Sequence, residues 1–132
     1  MNHICPVALK EKNKADAKRD DKKIYRDKRW RKLREEVLED QEHICLWSLY
    51  VEGIIRYANV GHHIVEIIVD ESKAYIRENV IGVNKYSHDI IHNLYKSNKE
   101  ETMSVLYECN KLWNSGVRMD GLGILKDILN FE

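Results

Sequence analysis

Between Ala58 and Tyr95 the chain runs through a short apolar stretch with two adjacent histidines, a polar stretch, a second short apolar stretch, and a helical pattern with two more histidines. Ala58 to Val69 is rich in Val and Ile and is broken by Gly61-His62-His63. It predicts a strand that reaches a polar turn, followed by another extended piece. Asp70 to Glu78 is polar and predicts a loop, and Val80 to Val83 predicts a second short strand. Lys85 to Tyr95 predicts a helix with Ile90, Ile91 and Leu94 on its apolar face and with His88 and His92 one turn apart. Strands this short confine the β structure to a small unit, so the expected class is α+β, mostly helical overall.

The remaining segments supply the helices. From about Ile24 to Asp40, Trp30, Leu33 and Val37 recur on one face and predict a helix docked on the core through that stripe, with Arg26, Arg29, Arg31 and Lys32 around it. Simple core packing is the preferred reading of Trp30. Ile44 to Tyr57 reads as an irregular linker with short extended pieces. Ser97-Asn98-Lys99-Glu100 resembles a capping box that opens a helix through Met103, Leu106, Tyr107, Asn110 and Trp113, stopping at Gly116. A last short helix is expected from about Leu122 to Leu129. Residues 1–23 hold few large apolar groups and predict an arm or a loosely held helix. The expected divisions are therefore a basic arm over 1–23, a core over 24–96 and a helical extension over 97–132.

The formal charge of the 132 residues is zero, but it is unevenly spread. Lys10 to Arg34 contains 13 Lys and Arg against 5 Asp and Glu, a net of +8, and the rest of the chain balances it. A basic segment on an acidic body suits a phosphate backbone, where each cation releases condensed counterions. A solvated helix laced with opposite charges gives the same composition. No apolar run is long enough to span a bilayer and no signal-peptide core is visible, so neither a membrane protein nor a secreted disulfide scaffold is expected. Cys5, Cys45 and Cys109 form no CxxC pair and leave one odd thiol, which suits a reducing cytoplasm.

Chemistry concentrates in His62, His63, Asn79, His88 and His92. Imidazoles at i and i+4 on a helix can meet one metal ion, and a third from the strand would complete three protein ligands while leaving positions open for water and substrate. Neighbouring strand residues point to opposite faces, so His63 cannot easily share the ion with His62. It is left to act as a general base, with a pKa near working pH.

Residues from about Ile24 to Tyr95 resemble phage-type HNH endonucleases, members of the ββα-metal or His-Me finger nucleases. Trp30-Arg31-Lys32-Leu33-Arg34 with Val37-Leu38 is similar to that family's W-x2-L-R-x2-V-L helix. Ala58-Asn59-Val60-Gly61-His62-His63-Ile64 is similar to its A-x2-V-H-H-I strand, with the valine and glycine differently placed. Asn79-Val80-Ile81 resembles its N-L-I, and Ser87-His88-Asp89-Ile90-Ile91-His92 its C-H-x2-I-H. The resemblance implies a small ββα-metal core in which His62 and His88 hold one divalent ion (Mg, Mn, Ni or Zn). The resemblance to colicin-type DNases implies His92 as a third ligand. It further implies that His63 takes a proton from water, that Asn79 holds the turn carrying His63, and that Arg26, Arg29, Arg31 and Lys32 follow the nucleic-acid backbone.

Relatives usually carry two CxxC knuckles around a structural zinc. Here those positions read Cys45-Leu46-Trp47-Ser48 and Asn84-Lys85-Tyr86-Ser87, so one thiol of four is present and no structural zinc is expected. The proline usual after the His-His-Ile stretch is Glu66, an acidic side chain placed to approach the metal or to repel phosphate. The resemblance implies a metal-dependent DNA endonuclease acting in phage genome processing, with DNA and phage packaging proteins as partners and the host cytoplasm as its compartment. The alternative is a nucleic-acid-binding or assembly module that keeps the fold without useful catalysis. A helical structural protein with incidental histidines is a third reading.

Overall fold

A computed structural model describes residues 22–129. The arm expected over 1–23 therefore lies almost wholly outside the described residues, as does Cys5; residues 22–26 form a helical turn. The architecture is α+β and mostly helical, around one two-stranded antiparallel sheet. Helix α1 spans Lys28–Asp40, α2 spans Lys85–Ser97 and α3 spans Lys99–Asn114. Strands β1 (Val60–His63) and β2 (Val80–Val83) pair with Val60 opposite Val83 and His63 opposite Val80.

Asp27 caps α1 by accepting the Arg29 N–H, and Asn84 caps α2 by accepting the Tyr86 N–H, each at 2.8 Å. The Trp30, Leu33 and Val37 stripe is buried as its spacing predicts. It packs with Ile24, Ile67, Ala74 and Val80 on one face of the sheet. Glycines at the paired positions 61 and 82 let α1 approach this closely. A Cβ on Gly61 would lie 2.9 Å from Arg34 Cγ, and one on Gly82 would lie 2.8 Å from both Leu38 Cδ2 and Gln41 Nε2. The buried Gln41 amide uses that room to pair with the Gly82 backbone, accepting its N–H at 2.8 Å and donating to its carbonyl at 2.9 Å.

The other face of the sheet meets the main core, where Leu46, Trp47, Leu49, Tyr50, Ile81, Ile91, Leu106 and Trp113 come together. Here the segment expected as an irregular linker departs from expectation. Cys45–Val51 is buried at every residue, with a π-helical turn over Ser48–Glu52. A segment enclosed on every side needs no polar face, so no period marks it in the sequence.

Three smaller differences concern boundaries. The extended piece expected after His63 does not form, because the chain turns at residues 64–69. Ser97 is the last residue of α2 rather than the start of a capping box. Asn98 closes α2 through its N–H to the Leu94 carbonyl at 2.7 Å and at the same time precedes α3. The C-terminal helix is two short 3-10 turns, Met119–Gly121 and Lys126–Leu129. Among the described residues no helix is long and apolar enough to cross a membrane.

Candidate metal centre and cleft

The strand pleat separates the adjacent histidines. His62 faces α2 and His63 faces α1, both almost fully buried, at 3% and 4% exposure. On α2, His88 and His92 lie one turn apart, and their Nε2 atoms are 3.0 Å from each other. Ring nitrogens of His62, His88 and His92 all fall within 4.8 Å of one another, a grouping close enough to bind one metal ion. Two nitrogens bound to one zinc-like ion at about 2.0–2.1 Å lie roughly 3.0–3.4 Å apart, so the His88–His92 spacing already suits shared ligation.

The surroundings keep His62 and His88 in the form a metal requires. Burial, reinforced by His88 and His92, holds His62 well below the ordinary histidine value. Burial and the His92 ring push His88 down to about 4. Both are therefore neutral at pH 7, with a lone pair to offer. His62 Nε2 lies 3.1 Å from the Tyr95 hydroxyl, which itself donates to the Ile64 carbonyl at 2.6 Å.

His63 is held differently. Its Nε2 lies 2.9 Å from the Ala74 carbonyl, which can only accept, so Nε2 carries the proton and Nδ1 the lone pair. Nδ1 is buried and has no hydrogen-bond partner. The ring stacks on Trp30 with centroids 4.3 Å apart, and burial lowers its pKa against the opposing pull of the Ala74 bond. Asn79 clamps both flanks of this arrangement. Its amide accepts from the Val65 N–H at 2.8 Å and donates to the Val65 carbonyl at 3.0 Å and the Lys73 carbonyl at 3.3 Å. Val65 lies two residues after His63 and Lys73 one residue before its acceptor, Ala74. Asn79 thus fixes the loop against which His63 is oriented.

The four histidines line one cleft of about 470 Å³, together with Trp30, Arg34 and Glu66. Glu66 pairs with Lys99 at 2.8 Å, which offsets its charge within the cleft. Arg34 was not anticipated from the sequence, although it follows Trp30 by one helical turn and so shares its face. Arg26, Arg29, Arg31 and Lys32 are all exposed outside the cleft. Arg29 is forked onto Asp27, holding that carboxyl down at about 2, and lies over the Tyr75 ring at 4.3 Å. Arg26, Arg31 and Lys32 make no ion pair among the described residues.

Cys45, Ser48 and Ser87 converge in the core. Ser48 Oγ lies 3.2 Å from Cys45 Sγ and 3.0 Å from Ser87 Oγ, and all three residues are fully buried. Asn84 instead caps α2 and donates to the Tyr57 carbonyl at 2.9 Å. Comparison of the chain with protein-family models, with curated proteins and with solved structures finds no match.

Proposed function

We propose that this chain is a metal-dependent DNA endonuclease of the HNH type, hydrolysing phosphodiester bonds. The observation that carries the reading is a single cleft shared by a three-imidazole metal grouping and a fourth, separately oriented imidazole with an unprotonated nitrogen. His62, His88 and His92 would hold the ion, which would supply positive charge to offset the negative charge that grows on the phosphate in the transition state. His63 Nδ1 takes the proton of the attacking water, while the Ala74 carbonyl and the Trp30 ring fix the imidazole plane. Asn79 keeps the supporting loop in register. Arg34 stands in the cleft as a cation for substrate phosphate, and Arg26, Arg31 and Lys32 supply sequence-independent contacts to the duplex backbone. The products are a 5′-phosphate and a 3′-hydroxyl. A role in phage genome processing beside packaging proteins, in the host cytoplasm, goes with the HNH resemblance.

One observation favours the second reading, a nucleic-acid-binding module without useful catalysis: His63 Nδ1 is sealed from solvent. Catalysis requires the cleft wall to shift and admit water to that nitrogen. Supercoiled-plasmid cleavage separates the two. Wild type is expected to nick in Mg, Mn, Ni or Zn and not in EDTA, and His63→Ala is expected to lose about 100-fold or more while keeping its fold and metal affinity. DNA binding without cleavage by wild type in every ion would establish the binding module instead.

A further inference from the structure

The hydroxyl of Tyr95 meets both His62 of the cleft and the backbone at Ile64. Tyr95 has one proton to give, and the Ile64 carbonyl, which cannot donate, lies 2.6 Å away. Two oxygens that close require the hydroxyl proton between them. The 3.1 Å contact with His62 must then run the other way, with His62 Nε2–H donating to the tyrosine oxygen. This leaves the lone pair of His62 on Nδ1, which makes no hydrogen bond among the described residues.

Building on the metal-centre reading above, we infer that Tyr95 is a positioning residue for the ion: it sets the His62 tautomer so that Nδ1 is the ligating atom. Three observations beyond the hydrogen bond support this. His88, His92 and Tyr95 fall at i, i+4 and i+7 on α2, so one helical stripe carries two ligands and the group that orients the third. Tyr95 is buried, 8% exposed, and its ring packs edge-on to His62 with centroids 5.4 Å apart, so the contact is rigidly held. Ile64 is fixed at both backbone groups, its N–H by the Asn79 carbonyl at 2.8 Å and its carbonyl by Tyr95. Because Ile64 directly follows His63, the hydroxyl also ties the metal ligand to the end of the strand that carries the proposed base.

The experiment compares full-length wild type with Tyr95→Phe, which keeps the ring and removes only the hydroxyl. Zn²⁺ is titrated into the metal-free proteins by calorimetry, and long-range ¹H–¹⁵N correlation spectra of the imidazoles are recorded before and after. The inference expects a metal-free wild-type His62 that is protonated at Nε2 and a zinc-bound His62 whose shifted nitrogen is Nδ1. It expects the variant to bind zinc about 10–100-fold more weakly, the range typical of lost partners behind metal ligands. A wild-type His62 protonated at Nδ1, or a variant affinity within about twofold of wild type, overturns it. Failure of both proteins to bind zinc, with His62 still protonated at Nε2, overturns the metal-centre reading and this inference with it. Equal binding by both overturns this inference alone.

Discussion

His62, His63 and His88 are each held below the ordinary histidine pKa, first of all by burial, and this has a consequence for stability. In the unfolded chain these rings titrate near their usual value of about 6.5. Between there and about 4, where folded His88 titrates, the unfolded state binds more protons than the folded one. Stability is therefore fully present above about pH 6.5 and is lost as pH falls toward 4, with each extra proton contributing about 1.4 kcal/mol per pH unit to the slope. Metal-free urea melts at pH 7.0, 6.0, 5.0 and 4.5 should show this decline, and His88→Gln should flatten it by close to one proton. A midpoint constant from pH 7 to pH 5 would contradict the neutral state of these rings. The closeness of His62, His88 and His92 was legible in the sequence because imidazoles at i and i+4 share a helix face that a strand histidine can meet, whereas Asn79 entered through the HNH resemblance. Tyr95, Arg34 and the stacking role of Trp30 were not legible. A tyrosine or tryptophan on an apolar stripe reads as core, and only coordinates reveal which polar atom its edge meets.

At the scale of elements, periodicity located α1 and α2 closely, because each has one buried and one exposed face, while β2, buried at all four residues, was located only as a short apolar run. It failed at Cys45–Val51, which is buried all round, and after His63, where apolar residues at 64 and 67 are buried from a turn rather than a strand. The end of α1 also carried no warning. The His43 N–H bonds the Leu38 carbonyl and the Glu42 N–H bonds the Glu39 carbonyl, the two bonds of a Schellman motif. Its left-handed position is normally glycine, and here it is Glu42 at φ 55, followed by His43 at φ 58. Left-handed backbone costs a non-glycine residue about 1–2 kcal/mol, and the extra unfolded-state freedom of glycine takes back about 0.5–1 kcal/mol. Glu42 is exposed, and its side chain makes no hydrogen bond or ion pair among the described residues, so nothing else is lost on substitution. Glu42→Gly should stabilise the fold by up to about 1 kcal/mol, read as a rise of roughly 3–4 °C in Tm. A lower Tm would mean that the Glu42 side chain contributes more than this motif costs.

Across the whole molecule, the larger of the two buried clusters runs across the boundary between the expected core over 24–96 and the expected helical extension over 97–132. Val105, Leu106, Cys109 and Trp113 of α3, with Leu125 beyond it, belong to the same buried cluster as Trp47, Ile81 and Ile91. Trp113 also donates from Nε1 to the Asp40 carbonyl at 2.8 Å, joining α3 to the last turn of α1. The Cys45–Ser48–Ser87 hydrogen bonds tie 45–48 to α2, and hydrogen bonds of this kind contribute only about 1 kcal/mol each. Order in this region must then come mainly from apolar burial, and α3 provides a large part of it. Burial of Val105, Leu106, Trp113 and Leu125 at about 1.5–3 kcal/mol each amounts to roughly 6–12 kcal/mol, comparable with the whole net stability of a small domain. A chain ending at Ser97 should therefore show no cooperative thermal transition and should bind the dye ANS, even though every histidine of the proposed centre is retained. If that fragment instead melts cooperatively and binds Zn²⁺ as the full chain does, the first 97 residues fold without α3 and the interior is divisible after all.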